Sequence, residues 1–284
     1  MKQITVISGK GGTGKTTIVA SLAALASGRA VIADCDVDAP DLHLILHPDV
    51  KERRDFLGIK SAFIDQSKCT DCGECEEHCR FAAIKDRKVD PMACEGCGTC
   101  RFVCPVGAIS MADRLSGYAY ISETRFGPMV HADMFPGEEA SGKLVAMIRG
   151  MARDVAQRQN LELVLIDGSP GIGCPVIASL TGTDLALIVT EPTLSGVHDL
   201  DRIVGVAKHF GVLSLVCINK YDLNPEASER IEKLCRDSGV EVVGRLPFDT
   251  SVVDAMVVGR AVAEMGGPMA DELTSLWRCI ESQL

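Results

Sequence analysis

The sequence predicts an α/β protein built on a doubly wound, mostly parallel sheet and interrupted by one small inserted domain. Three observations carry this expectation. Short apolar, β-branched runs alternate with helix-length segments over most of the chain. A glycine-rich loop, Gly9-Lys10-Gly11-Gly12-Thr13-Gly14-Lys15-Thr16-Thr17, joins the first such run to the first helix. Eight cysteines then stand in two blocks of matching spacing between Cys69 and Cys104.

Taken in order, residues 4–8 predict a buried parallel strand, and residues 16–27 a helix with Ala and Leu on its inner face and Gly28 as its stop. Residues 30–33 predict the second strand, ending in Asp34-Cys35-Asp36-Val37-Asp38. Strand-like runs resume at 161–166, 185–190, 213–219 and 240–246, with helices at 197–210 and 225–238. Alternation of these lengths gives a parallel sheet covered by helices. Ligands bind such sheets at the carboxyl ends of the strands. Residues 1–62 and 114–284 are assigned to this domain and 63–113 to the insert. The segment 117–143 fits neither pattern and reads as a return linker.

Composition narrows the function. With 46% apolar but only 4% aromatic residues, the core must be aliphatic. A formal net charge of −10 argues against a nucleic-acid or anionic-membrane partner. No run of 18 apolar residues is present, so no membrane span is expected. The first strand leads directly into the glycine-rich loop, which leaves no room for a removable signal peptide. Thirteen cysteines without an export signal point to a reducing cytoplasm and to metal binding rather than disulfides.

A glycine-rich loop between strand and helix cradles phosphates, because glycines let successive backbone N–H groups turn inward. Gly11, Gly12, Thr13, Gly14 and Thr17 supply the cradle. Lys15 is expected at the β- and γ-phosphates and Thr16 at Mg²⁺. The form Lys-Gly-Gly-Thr-Gly-Lys-Thr-Thr resembles the deviant Walker A loop of the MinD/ParA/Mrp superfamily of P-loop ATPases, which includes the nitrogenase iron protein. The resemblance covers residues 1–60 and 145–284. It implies ATP and ADP as ligands, ATP hydrolysis, and an ATP-dependent homodimer or a heterodimer with a similar ATPase. It also implies that Lys10 reaches the partner's nucleotide. Asp36 matches the aspartate that holds the attacking water, and Asp167 in Val164-Leu165-Ile166-Asp167-Gly168-Ser169-Pro170-Gly171 matches the metal-linked aspartate. Asn219, Pro247 and Asp249 match the base-contacting ends of later strands.

The cysteine blocks are Cys69-x-x-Cys72-x-x-Cys75-x-x-x-Cys79 and Cys94-x-x-Cys97-x-x-Cys100-x-x-x-Cys104-Pro105. They match the ligand run of a bacterial ferredoxin with two [4Fe–4S] clusters, an α+β fold, in which the fourth cysteine of each run serves the other cluster. Cys69, Cys72, Cys75 and Cys104 then form one set, and Cys94, Cys97, Cys100 and Cys79 the other. Structural zinc is the competing reading of Cys-x-x-Cys pairs. Arg80 replaces the proline usual after the first block, and His78 reads as a solvated side chain. Cys217, Cys235 and Cys279 read as buried packing residues, Cys174 as a helix-start residue with a smaller claim on metal or substrate. The apolar positions Leu273, Leu276, Trp277, Ile280 and Leu284 read as a helix packed on the sheet rather than a basic membrane-targeting helix.

The combined expectation is an ATPase that works on iron–sulfur or related clusters, by assembly, delivery or gated electron transfer. Resemblance implies a partner like the small nitrogenase-cofactor-biosynthesis proteins, or another cluster or electron acceptor. The alternatives are a MinD/ParA-like positioning or recruitment ATPase and, last, a cobyrinic-acid-type amidase.

Overall fold

A computed structural model describes residues 1–138 and 142–284. The strands are β1 (Lys2–Ser8), β2 (Ala30–Cys35), β3 (Asp49–Ile64), β4 (Ile84–Lys85), β5 (Lys88–Val89), β6 (Ile109–Thr124), β7 (Gly127–Met134), β8 (Leu163–Pro170), β9 (Leu185–Thr190), β10 (Leu213–Asn219) and β11 (Glu241–Leu246). The helices are α1 (Lys15–Ala26), α2 (Leu42–Leu46), α3 (Glu74–Glu77), α4 (Thr99–Val103), α5 (Gly142–Gln159), α6 (Cys174–Leu180), α7 (Leu194–His209), α8 (Pro225–Ser238), α9 (Ser251–Val257) and α10 (Pro268–Glu281). Nine strands form one sheet in the order β11-β10-β9-β1-β8-β2-β7-β6-β3, and β4 and β5 pair separately. The pairs β1–β8, β1–β9, β9–β10, β10–β11, β2–β8 and β2–β7 are all parallel. The α/β class and the mostly parallel sheet are therefore as predicted.

The chain divides into two compact units. The larger comprises Met1–Arg53, Ala119–Ala132 and Ala140–Leu284. Its sheet is apolar on both faces, as a parallel sheet under helices must be. In β9, Leu185, Leu187 and Val189 face a core shared with Ile18, Leu22 and Trp277. Ala186 and Ile188 face the opposite core, with Val176, Leu200 and Ile203. The period of two in the strand divides the two cores. In α10, Leu273, Leu276, Trp277 and Ile280 are buried in the first core, which is the packed-helix reading. Helix α1 stops one residue before the predicted end, because Ser27 takes a left-handed φ of 50° and its N–H bonds the Ala24 carbonyl.

The segment expected to be a linker is largely sheet. It supplies the second half of β6 and all of β7, and the Arg125-Phe126 turn joins them. Ala119, Ile121, Met129, Val130 and Ala132 are buried there. Gly127 has φ 126°, and a Cβ on it would lie 2.9 Å from the Ala30 carbonyl oxygen. Its glycine, proline and polar residues hide the strand period in the sequence. Residues 139–141 of that segment lie outside the described residues. Helix α5 was not anticipated; Leu144, Val145, Ile148 and Val155 are among its buried residues.

The smaller unit comprises Arg54–Tyr118 and Asp133–Glu139 and holds both cysteine blocks. One of its buried clusters is Ala62, Ile64, Ile84, Cys100 and Ile109, with Cys69, Cys75, Cys79, Cys94, Cys104, Val89 and Met111 packed on them. A core this small, built largely of cysteine, is of the kind that needs added cross-links or metal.

Trp277→Ala should destabilise the larger unit by about 3–5 kcal/mol, the usual cost of emptying a buried aromatic site. Denaturant unfolding followed by far-UV circular dichroism measures this, and a loss below about 1 kcal/mol would contradict the packing described for α10.

Candidate functional site

The central position of β1 puts the glycine-rich loop at the carboxyl edge of the sheet, between the ends of β8 and β9. Gly12 and Gly14 have φ of 79° and 90°, a conformation that side chains resist. A Cβ on Gly14 would also stand 2.5 Å from Asn219 Nδ2. Asn219 Nδ2 donates to the Thr13 carbonyl at 2.8 Å, and Asn219 Oδ1 accepts from Lys220 N at 3.0 Å. Asn219 thus braces the loop from the end of β10. Lys220 Nζ donates to the Gly12 carbonyl at 3.4 Å.

A cavity of about 420 Å³ opens from this loop. Gly11, Gly12, Gly14, Lys15, Thr16 and Thr17 line its phosphate end, and Asp36, Asp38 and Asp41 line one side. Its other end is apolar, formed by Leu246, Val252, Met256, Val262, Met269 and Leu273. That volume and that split between polar and apolar ends suit a nucleotide. Of the predicted base-contacting residues, Asn219 lines the cavity. Pro247 and Asp249 are not among its lining residues, and the Asp249 carboxylate accepts from Ser251 N at 2.8 Å.

Two lysines of the loop are each held by a carboxylate. Lys15 Nζ lies 3.0 Å from Asp36 Oδ2, and both side chains are buried. Lys10 Nζ lies 2.6 Å from Glu191 Oε1 and donates to Thr193 Oγ1 at 3.0 Å and Ser195 Oγ at 3.1 Å. Glu191 Oε2 also accepts from Lys220 Nζ at 3.1 Å. Burial would raise the Glu191 carboxyl, but hydrogen bonds from the two lysines outweigh it and hold it below its usual range. Sequence reasoning missed Glu191, whose role depends on the neighbouring loop.

Three carboxylates gather behind Lys15. Asp34 and Asp167 are register partners on β2 and β8. Burial raises both, with Asp167 pushed up to about 6 against the opposing Lys15 charge. Burial also raises Asp36, again against Lys15. Asp34 Oδ2, Asp36 Oδ1 and both oxygens of Asp167 are buried without a hydrogen-bond partner. Unpartnered carboxylate oxygens beside the Thr16 hydroxyl are hard donors of the kind Mg²⁺ prefers. Thr16 and Asp167 would hold it.

The matching family is the CobQ/CobB/MinD/ParA nucleotide binding domain, over residues 4–262. The chain belongs to this family. A protein of Methanocaldococcus jannaschii of uncharacterized function is 40% identical over 225 residues, 78% of this chain and 79% of that protein. Among solved structures, the cell division ATPase MinD of Pyrococcus furiosus superposes with a TM-score of 0.62 at 18% identity, covering 100% of this chain and 99% of that one. The septum site-determining protein MinD of Pyrococcus horikoshii, complexed with Mg-ADP, gives 0.61 at 17% identity over 99% and 96%. The matched range includes the glycine-rich loop, Asp36 and Asp167.

The smaller unit sorts its cysteines into two groups. One cavity is lined by Cys69, Cys72, Cys75 and Cys104, the other by Cys79, Cys94, Cys97 and Cys100. The fourth cysteine of each block thus lines the cavity of the other block's first three. Ala83 N donates to Cys79 Sγ at 3.4 Å and Ala108 N to Cys104 Sγ at 3.3 Å, so the fourth cysteine of each block has the same local turn. Among the described residues, no three His, Cys, Asp or Glu side chains are grouped to hold one metal ion. His78 is exposed beside Glu74, as expected.

Outside this unit, Cys217 and Cys235 are buried, and burial pushes their thiols up to about 12 and 11. Cys174 is exposed at the first residue of α6. Cys279 is exposed, which corrects the expectation of burial; it falls on the outer face of α10. Among the described residues, no helix is long and apolar enough to cross a membrane.

Because Asp167 titrates near 6, a proton competes with Mg²⁺ there. The affinity for Mg·ADP should rise about tenfold between pH 5 and pH 7 as that proton leaves, with one pKa unit equal to about 1.4 kcal/mol. In Asp167→Asn the slope should flatten. Calorimetric titration across pH tests both.

Proposed function

We propose that this chain is an ATP-hydrolysing switch of the MinD/ParA kind, which pairs with a second ATPase subunit when ATP is bound and thereby recruits a partner protein. The observation that carries this is the paired arrangement at one phosphate loop: Lys15 held by Asp36 and Lys10 held by Glu191. The MinD neighbours support the same reading.

The chemistry follows from those pairs. Phosphate oxygens compete with Asp36 for Lys15, since a charge-assisted contact to phosphate replaces one to carboxylate. Asp36 is then free to accept a hydrogen bond from a water in line with the γ-phosphate, while Lys15 offsets the charge that develops. Lys10 stands at the rim and can leave Glu191 for the nucleotide of a paired subunit. Mg²⁺ would supply further charge neutralisation at the phosphates.

Lys10→Ala should therefore abolish ATP-dependent pairing and lower turnover at least tenfold, while ADP affinity of the single chain changes by less than about threefold, the loss of one peripheral charge. Asp36→Asn should keep nucleotide binding, removing the competitor of Lys15, yet slow hydrolysis by about 10²-fold or more. Light scattering and phosphate release read the two effects. A chain that stays single with saturating ATP would refute the switch.

A second reading concerns the smaller unit and is favoured by the two four-cysteine cavities. In it, the predicted insert carries two [4Fe–4S] clusters, held by Cys69, Cys72, Cys75, Cys104 and by Cys94, Cys97, Cys100, Cys79. Thiolate sets in this crossed order fit cubane clusters, and the small cysteine-rich core fits a fold completed by them. The clusters would supply one-electron transfer, or serve as cargo for a small acceptor protein like those of nitrogenase-cofactor biosynthesis. Anaerobically purified protein should contain about eight iron atoms per chain. Cys100→Ser should lose about half of them and Cys174→Ser none. Stoichiometric zinc in place of iron would refute the clusters and leave the switch untouched.

A further inference from the structure

The turn between β6 and β7 carries one side chain with an unusual set of partners. Arg125 Nη1 donates to the Ile45 carbonyl at 2.8 Å, at the end of α2. Its Nη2 donates to the Gly259 carbonyl at 3.3 Å, just beyond α9. Its Nε and Nη2 also reach the Glu264 carboxylate, at 3.2 and 2.7 Å. The guanidinium lies 4.4 Å from the centre of the Phe126 ring. Glu264 Oε2 in turn accepts from Ala261 N at 2.7 Å and so fixes the helical turn Val262–Glu264. One planar fork thus ties three segments together, a use that suits arginine and not lysine.

Those segments are walls of the nucleotide cavity. Asp36, Asp38 and Asp41 lead into α2, Met256 belongs to α9, and Val262 opens the turn that Glu264 fixes. A second contact binds the first and second of them independently. Gly259 approaches the His47 ring so closely that a Cβ there would lie 2.3 Å from Nε2. The hairpin is also joined to β2 through β7, because Ile32 and Ala33 pair with Met129 and Val130. Asp34 and Asp36 follow directly in that chain.

We propose that Arg125 is a positioning residue that links the β6–β7 hairpin to both walls of the nucleotide cavity, so that nucleotide occupancy and hairpin rigidity are coupled. The proposal rests on the nucleotide-site reading above. A bound nucleotide orders the aspartate-bearing wall through its phosphates and the Met256–Val262 wall through its base. Arg125 is bonded to the backbone of both, so ordering either one restrains the turn. The coupling is reciprocal: a restrained hairpin favours nucleotide.

Hydrogen–deuterium exchange of the full chain, with and without Mg·ADP at saturation, tests this. In the wild type, nucleotide should slow exchange of amides in 119–132 at least threefold, together with those of the phosphate loop. In Arg125→Ala the loop amides should still slow at saturating nucleotide, but the hairpin amides should not. Arg125→Lys should behave like Arg125→Ala, since it keeps a charge but cannot span the three partners. Glu264→Gln is the milder variant in case Arg125→Ala fails to fold, and should reduce the hairpin response at least twofold. Equal slowing of the hairpin in wild type and variants overturns the proposal. So does an unresponsive hairpin in a wild type whose loop amides do slow. If nucleotide slows no amide in any of these proteins, the nucleotide-site reading falls and the coupling with it.

Discussion

The larger unit depends on where β1 lies. Placed between β8 and β9, it delivers the phosphate loop to a point flanked by two other strand ends. From β8 comes Asp167, and the residue after β9 is Glu191. One flank therefore offers a buried acid and the other a counter-charge for Lys10. Moving β1 by one strand would separate the loop from one of them. Burial of Ile4, Val6 and Ile7 on opposite faces pins the strand from both sides. Apolar packing thus sets the geometry in which a small number of charges act.

Those charges are not relaxed. Three carboxylates with unpartnered buried oxygens face one buried ammonium, Lys15. Desolvation disfavours their ionised forms, and the raised positions of Asp34, Asp36 and Asp167 follow from it. Sites strained in this manner tend to be functional, because the tension is relieved by what binds. A folded-state carboxyl raised above its unfolded value contributes most below the unfolded value of about 4 and loses that contribution as pH rises through the folded one. For Asp167 the window runs from 3.8 to about 6.

Much of this was legible in residues whose identity alone carries chemistry. The glycines and lysines of the loop stand out by their pattern, and Asp36 and Asp167 by their resemblance to the family's motifs. The crossed sorting of the eight cysteines was implied by the likeness of the two blocks to a two-cluster ferredoxin. The apolar end of the cavity was not legible: Leu246, Met256, Val262 and Leu273 come from four separate segments, and each looks like ordinary core in the sequence. Arg125 was hidden for a related reason. Its partners lie 80, 134 and 139 residues away, and it sits in a stretch whose glycine, proline and tyrosine residues resemble a linker. Pairing with β2 made that stretch a strand, so tertiary context overrode local pattern.

The sharing of Glu191 between two cations has a consequence for how freely Lys10 can move. A largely desolvated carboxylate stripped of its sole partner would be costly, and Lys10 would then be locked in place. Here Lys220 stays on the second oxygen. Departure of Lys10 leaves an ion pair behind rather than an orphan, and its hydroxyl partners Thr193 and Ser195 can still bond each other, 3.3 Å apart. Glu191 works as a mooring with a spare line: it holds the lysine at rest and can release it without itself being left adrift.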